Sequence, residues 1–286
     1  MDEHLIGAAQ PFGTTKATSY QMVTHRYTGR VLYVMFRTQT DLRRWVPAPL
    51  QVADPHEAFV KVYQLKRRPI DRDPDPPAFS GYHEVCVTVL ATLPDDPTPR
   101  HYNLFMWLDR DWPIYKYREV FGWPKKLAQI DISSTFAGDG RYDYDDGTQA
   151  YGADLHRHGF RLMTLRAQLA GGPEAPTPPF AGFYTVRHLV SPDGDPDGHV
   201  SELLTIQPTD GWTTPPVFGT AELSFGTAPD EELDALGDVE VTGCALMDTG
   251  WVLPAWPARR VASLPELAPQ VGEPAPADGP TRGRQP

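Results

Sequence analysis

Strand-length apolar runs, broken at short intervals by Pro, Gly and Asp, recur along almost the whole chain and constrain its fold more than any other feature. Val31–Phe36, Phe59–Leu65, Gly81–Leu90, His101–Leu108 and Ile130–Phe136 are rich in β-branched and aromatic residues and have the length of strands. Tyr151–His158 and Phe160–Leu169 read as a hairpin about Gly159. Tyr184–Val190, His199–Gln207, Ala221–Phe225 and Val239–Trp251 continue the pattern. Helical signals are few. Thr40-Asp41 offers a cap for a short helix over Leu42–Val46, closed by Pro47 and Pro49, and Glu231–Leu236 is a second short candidate. Arg67–Pro77, Pro94–Pro99, Gly138–Gly147 and Gly171–Pro179 read as loops and turns. Many short strands with few helices predict an α+β chain that is mainly antiparallel β, closed or nearly closed into a barrel.

No repeat, heptad or long internal linker divides the chain, so residues 21–262 are expected to form a single domain. Residues 1–20 read as an arm, and 263–286, rich in Pro, Ala and Gly, as a disordered tail. A net charge of −11 argues against a nucleic-acid surface or an anionic membrane as partner. No apolar run approaches the ~20 residues of a membrane helix, and the acidic N-terminus lacks the order of a signal peptide. Cys86 and Cys244 fit no metal or redox spacing and read as small core residues. A cytoplasmic location is expected. His156-x-His158 lacks a third ligand at a convincing spacing, so no metal is expected.

The candidate chemistry lies in Tyr115–Ala128. Lysine occurs only six times in 286 residues, and two of the six, Lys125 and Lys126, stand side by side after a Gly-Trp-Pro turn. A lysine ammonium is a poor nucleophile near neutrality. An apolar site and a second cation both favour the free amine, which attacks a ketone to form a Schiff base. The alternative is a solvated Lys-Lys turn.

Gly122-Trp123-Pro124-Lys125-Lys126-Leu127-Ala128, preceded by Arg118-Glu119, resembles the active-site segment of the acetoacetate decarboxylase family. Arg37-Thr38, Pro47-Ala48-Pro49-Leu50, Tyr82-x-Glu84 and Leu108-Asp109 follow the family's order over Arg37 to Val261. The resemblance implies a mostly antiparallel, barrel-like fold, a homo-oligomer and a cofactor-independent enzyme. Lys125 would attack the ketone, with Lys126 lowering its pKa, and Glu84 would orient the lysines or carry a proton. Alternation puts Tyr82, Glu84 and Cys86 on one strand face and His83, Val85, Val87 and Val89 on the other. Arg30 stands nearest to the arginine that handles the substrate carboxylate in the family, with Arg26 a further option. Tyr82, Trp123 and Glu119 are further substrate-binding candidates, Glu119 also as a salt-bridge partner of Arg118 or either lysine, and Glu202 is a more remote support. Trp107 and Trp112 are also close enough in sequence to line the pocket.

One departure bears on substrate. Decarboxylating members carry a glutamate in the strand after Pro-x-Pro-Leu, where this chain has Phe59-Val60-Lys61. The first reading is a Schiff-base decarboxylase of an acetoacetate-like β-keto acid. The second is a Schiff-base aldolase-dehydratase or cyclase acting on pyruvate or a longer 2-keto acid. The third is a non-catalytic barrel that binds an apolar ligand.

Overall fold

A computed structural model describes residues 5–7, 19–21, 23–70, 80–134, 149–169, 172, 174–175, 177–193 and 198–264. The expected turn at Gly138–Gly147 lies outside them, as do most of the N-terminal arm and almost all of the C-terminal tail. β1 (Leu5–Gly7) and β2 (Ser19–Gln21) pair only with each other. β3 (His25–Thr38), β4 (Gln51–Val52), β5 (Glu57–Pro69), β6 (Gly81–Leu93) and β7 (Asp96–Leu108) run through the first half. A short helix, α1 (Trp112–Tyr115), continues as a π-helical turn over Lys116–Val120 and leads to β8 (Lys125–Leu127) and β9 (Gln129–Ser134). β10 (Gln149–Arg157), β11 (Phe160–Leu169), β12 (Phe183–Leu189) and β13 (Val200–Ile206) follow. β14 (Thr209–Thr213), β15 (Val217–Phe225), β16 (Val239–Leu253) and β17 (Ala258–Ser263) complete the strands.

One sheet runs β17-β13-β12-β7-β6-β5-β3-β16-β15-β11-β10-β9, with β14 on β16, β4 on β6 and β8 on β7. Its pairings are antiparallel except those of β12 and β8 with β7, which are parallel. The expected mainly antiparallel architecture is present. The expected closure is not: the order does not return from β9 to β17, so the sheet is open among the described residues. Its two faces are buried by packing against the β10–β11 hairpin and the helical segment rather than by joining edges.

That packing buries the central strands on both sides. On one face Leu32, Val34, Val62, Val87 and Trp107 meet Leu155, Leu162 and Leu165 of the β10–β11 hairpin. On the other, Tyr27, Tyr33, Tyr63, Tyr82 and Met106 meet Tyr117, Phe121 and Trp123 of the helical segment. Strands enclosed on two sides read as continuous apolar runs, which is why Phe59–Leu65 and Gly81–Leu90 stand out so strongly.

Several boundaries differ from the sequence reading. Arg67-Arg68-Pro69, read as loop, extends β5 because it pairs with His25-Arg26-Tyr27 of β3. Pro97 and Pro99, read as turn, lie in the first residues of β7. There β7 has not yet met β12, whose pairing begins at His101, so the missing N–H groups leave no ladder bond unmade. β14, β17 and the helical stretch Trp112–Val120 carry no strong periodicity and were not expected. Leu42–Trp45 is a 3-10 turn capped as expected by Asp41, whose side chain accepts from the Arg43 N–H at 3.0 Å. No helix among the described residues is long and apolar enough to cross a membrane.

Trp107 is fully buried at the centre of the first core. Trp107→Ala is expected to lower the unfolding free energy by roughly 3–5 kcal/mol, the range for truncating a buried aromatic residue. Urea denaturation followed by circular dichroism would measure it.

Candidate active site

The helical segment delivers the lysines to the sheet. Pro113 sits in the first turn of α1, where its missing N–H costs nothing. The segment ends at Gly122, whose φ of +73° suits glycine, and a Cβ there would meet the Val186 backbone at 2.5 Å. The Thr185 hydroxyl donates to the Phe121 carbonyl at 2.6 Å, and the Trp123 N–H to the Tyr117 carbonyl at 3.0 Å. Lys125 then closes a tight turn, its N–H donating to the Trp123 carbonyl at 2.7 Å. These bonds lay β8 against β7 with Lys125 opposite Met106, Lys126 opposite Trp107 and Leu127 opposite Leu108.

This register decides where each lysine goes. Met106 belongs to the face that carries Tyr82 and Cys86, Trp107 to the opposite core. Lys125 therefore enters an aromatic pocket and is 4% exposed. Its Nζ donates to Glu84 Oε2 at 2.9 Å. The Tyr117 ring centroid lies 4.6 Å from Nζ, with Trp123 at 5.7 Å and Tyr82 at 5.9 Å. Glu84 is equally buried, and the Cys86 thiol points to its other oxygen, Sγ to Oε1 being 3.6 Å. Burial, then the Glu84 charge, push the Cys86 thiol well above its usual range, so it remains a protonated donor.

Lys126 follows Trp107 to the other side. Its Nζ donates to Glu231 Oε2 at 2.9 Å. Glu231 also takes Arg157 in an ion pair and the Trp107 indole N–H at 3.4 Å. The structure does not bring the Lys126 amine beside that of Lys125: adjacent strand residues point to opposite faces, and Lys126 is bound to a carboxylate outside the pocket.

The cavity between the central strands and the helical segment measures about 40 Å³, space for a few water molecules. Tyr82, Glu84, Trp123 and Lys125 line it, as the sequence suggested, together with Tyr27, Tyr63, Tyr117, Phe183 and Trp251, which the sequence reading did not single out. Tyr27 and Tyr117 join their hydroxyls in a hydrogen bond. Burial holds Tyr27, Tyr63 and Tyr82 well above the usual phenol range, so the pocket's phenols are neutral at physiological pH. The Trp123 indole N–H is buried with no hydrogen-bond partner among the described residues.

The most consequential missed residue is Lys61. It lines the same cavity at 1% exposed. Its Nζ donates to Asn103 Oδ1 at 3.0 Å and lies 3.4 Å from His101 Nδ1. Burial lowers its pKa, and burial with the nearby Lys61 charge holds His101 far below the usual imidazole range, hence neutral. The sequence signal was available: Phe59, Lys61, Tyr63 and Leu65 alternate onto one face, leaving a lysine among aromatic and aliphatic neighbours.

Other expected site residues lie elsewhere. Arg30 shares its strand face with Leu32 and Val34, away from the pocket, and pairs with Asp248 at 3.0 Å. The pocket face of β3 at that level is Gly29, where a Cβ would strike the Gln64 carbonyl oxygen at 2.1 Å. Arg26 is exposed. Glu119 is not in the cavity wall; its carbonyl accepts from Arg187 Nε at 2.8 Å. Glu202 bridges Arg187 and Arg260 near the surface. Of the other tryptophans, Trp107 faces the opposite core and Trp112 packs outside the cavity wall on Arg67 and Tyr82, with Arg67 3.8 Å over its ring. His158 sits in the β10–β11 turn rather than on a strand face with His156. No cluster of three metal-binding side chains occurs among the described residues.

Comparison with known proteins identifies the family. The family model "Acetoacetate decarboxylase (ADC)" matches residues 9–256. An acetoacetate decarboxylase of Paraburkholderia phytofirmans is 29% identical over 232 residues, 78% of this chain and 82% of that protein. One from Burkholderia mallei is 33% identical over 120 residues, but the match spans 41% of this chain and only 44% of that protein's length. Among solved structures, an acetoacetate decarboxylase-like enzyme from Sphingomonas wittichii superposes with a TM-score of 0.74 at 23% identity, covering 86% of this chain and 95% of that one. The enduracididine biosynthesis enzyme MppR, complexed with pyruvate, superposes at 0.70 with 20% identity, covering 89% and 95%. Together with the family model's span, these matches place the chain in the acetoacetate decarboxylase family.

Proposed function

We propose that this chain is a cofactor-independent carbon–carbon lyase that works through a lysine iminium on a small keto acid. The observation that carries the reading is the buried Lys125 amine, 2.9 Å from Glu84 within an aromatic cavity. Glu84 takes a proton from Lys125, and the free amine adds to the substrate ketone. The resulting carbinolamine loses water to give an iminium. That cation draws in the electron pair of a bond on the neighbouring carbon, and the substrate becomes an enamine. Protonation of the enamine carbon and hydrolysis release product and restore the amine. Glu84 is positioned for each proton transfer, and the enclosing rings keep the charge changes away from bulk water.

The position of the substrate carboxylate selects which bond breaks. In an acetoacetate-like β-keto acid the carboxylate carbon is attached to that neighbouring carbon, and carbon dioxide leaves. This is the reaction for which the relatives are named. In a 2-keto acid the carboxylate sits on the iminium carbon itself and is retained. The enamine then forms by loss of a C–H proton and can attack an aldehyde. The buried Lys61, where decarboxylating members carry a glutamate, favours this second reading.

Borohydride reduction in the presence of acetoacetate, pyruvate or a longer keto acid should add a stable mass increment that peptide mapping assigns to Lys125. Lys125→Ala should lose both the adduct and turnover; an unchanged rate in that variant would sink the iminium mechanism. Lys126→Met, altered on the opposite face, should still form the adduct. Glu84→Gln should slow turnover by roughly 10²- to 10⁴-fold, the usual contribution of a positioned acid–base group, and steady-state kinetics on the purified variant would measure it.

A further inference from the structure

Lys61, Cys86, Met106 and Lys125 occupy one register row across β5, β6, β7 and β8. Three strand spacings of about 4.8 Å place the two lysine backbones roughly 14 Å apart. Both side chains reach into the same cavity along flexible four-carbon stems. The row thus carries an amine at each end, with a small cavity that both line.

The two amines are not equivalent. Lys125 faces the Glu84 carboxylate. Lys61 makes its close contacts with neutral groups, namely the Asn103 amide oxygen, the neutral His101 imidazole, and the rings of Phe183 at 5.3 Å, Phe59 at 5.8 Å and Tyr63 at 5.9 Å, while the Glu84 charge acts on it from beyond ion-pair distance. Asn103 Oδ1 is held in place by the Thr88 hydroxyl at 2.7 Å. No carboxylate among the described residues lies within ion-pair distance of Lys61. An ammonium taken from water without a counter-charge is costly, and its partner must come from somewhere.

We propose that Lys61 is the carboxylate-binding residue of this pocket, pairing with the acid group of a 2-keto acid whose ketone carbon Lys125 attacks. The proposal rests on the iminium reading above. An entering carboxylate supplies the charge that Lys61 lacks. A 2-keto acid carries its acid group directly on the carbon that Lys125 attacks, so the pairing requires both flexible stems to bring their amines towards one another across the row. The pairing opposes decarboxylation, because loss of carbon dioxide turns the paired anion into a neutral molecule and forfeits the interaction on the way. The bond that breaks is therefore a C–H bond at C3. Its proton passes to Glu84, its electron pair forms the C2=C3 bond while the C=N π pair moves onto the Lys125 nitrogen, and the carboxylate stays on the product.

The test compares pyruvate with methyl pyruvate, which has the same ketone but no acid group, in borohydride trapping on the full chain. The wild type should label Lys125 at much lower concentrations of pyruvate than of the ester. Lys61→Met and Lys61→Gln should each raise the pyruvate concentration for half-labelling by at least roughly thirtyfold, the low end for truncating one partner of a buried charge pair. Ester labelling should change by less than about twofold in the same variants, which also shows that they are folded. Wild-type enzyme should exchange the methyl protons of pyruvate for deuterium in D2O. Equal labelling by acid and ester in the wild type would overturn the Lys61 assignment while leaving the iminium intact. So would a preference for pyruvate that survives in both Lys61 variants or is lost only in Arg67→Gln. No Lys125 adduct with either compound would overturn the iminium reading, and the assignment with it.

Discussion

The buried ion pair between Lys125 and Glu84 is the contact on which the pocket depends. Two charges removed from water are tolerated only when geometry is good and the remaining polar atoms are satisfied. Here the 2.9 Å bond meets the first condition, and the Cys86 thiol on the second Glu84 oxygen helps with the other. The pair also ties the helical segment to the sheet, since Lys125 arrives on β8 and Glu84 on β6, with β7 between them. Gly122 makes this possible. Its left-handed backbone and the close approach of Val186 let the chain turn from helix to strand in the few residues before Lys125.

Alternation along β8 splits the adjacent lysines between two environments. Lys125 joins the aromatic face, while Lys126 joins Glu231, Arg157 and Trp107 behind the sheet. Lys126 thereby neutralises a carboxylate that would otherwise be buried beside the main core. The pocket does contain a second lysine, but it is Lys61 on β5, 64 residues earlier in the chain, and not the neighbouring residue. Another lysine, Lys116, is buried in the helical segment, where burial and then Arg67 bring its pKa down to about 7. Lysine is rare in this chain, and three of the six are largely removed from solvent around a single structural unit.

Much of the fold was legible because burial leaves local traces. The central strands are covered on both faces, so their apolar runs are continuous and their identity as strands is plain. Strands β14 and β17 left no such trace: β14 is exposed throughout, and β17 is an edge strand with little apolar burial. Helix Trp112–Val120 was hidden because its aromatic residues follow the needs of the pocket rather than a clean helical stripe. The proline-bearing start of β7 was read as a turn because the sequence could not show that its neighbour had not yet joined the sheet.

For the candidate site, the sequence by itself determined the lysine-bearing segment, the strand face shared by Tyr82, Glu84 and Cys86, and the aromatic character of the surroundings. These follow from period-two alternation and from residue types that have few roles in a buried strand. The tertiary structure alone decided which lysine faces Glu84, that Arg30 turns away towards Asp248, and that Lys61 shares the cavity. Each of those depends on register between strands distant in sequence. A shift of one residue would exchange the two faces, and nothing in the local sequence of β8 records which residue of β7 it will meet.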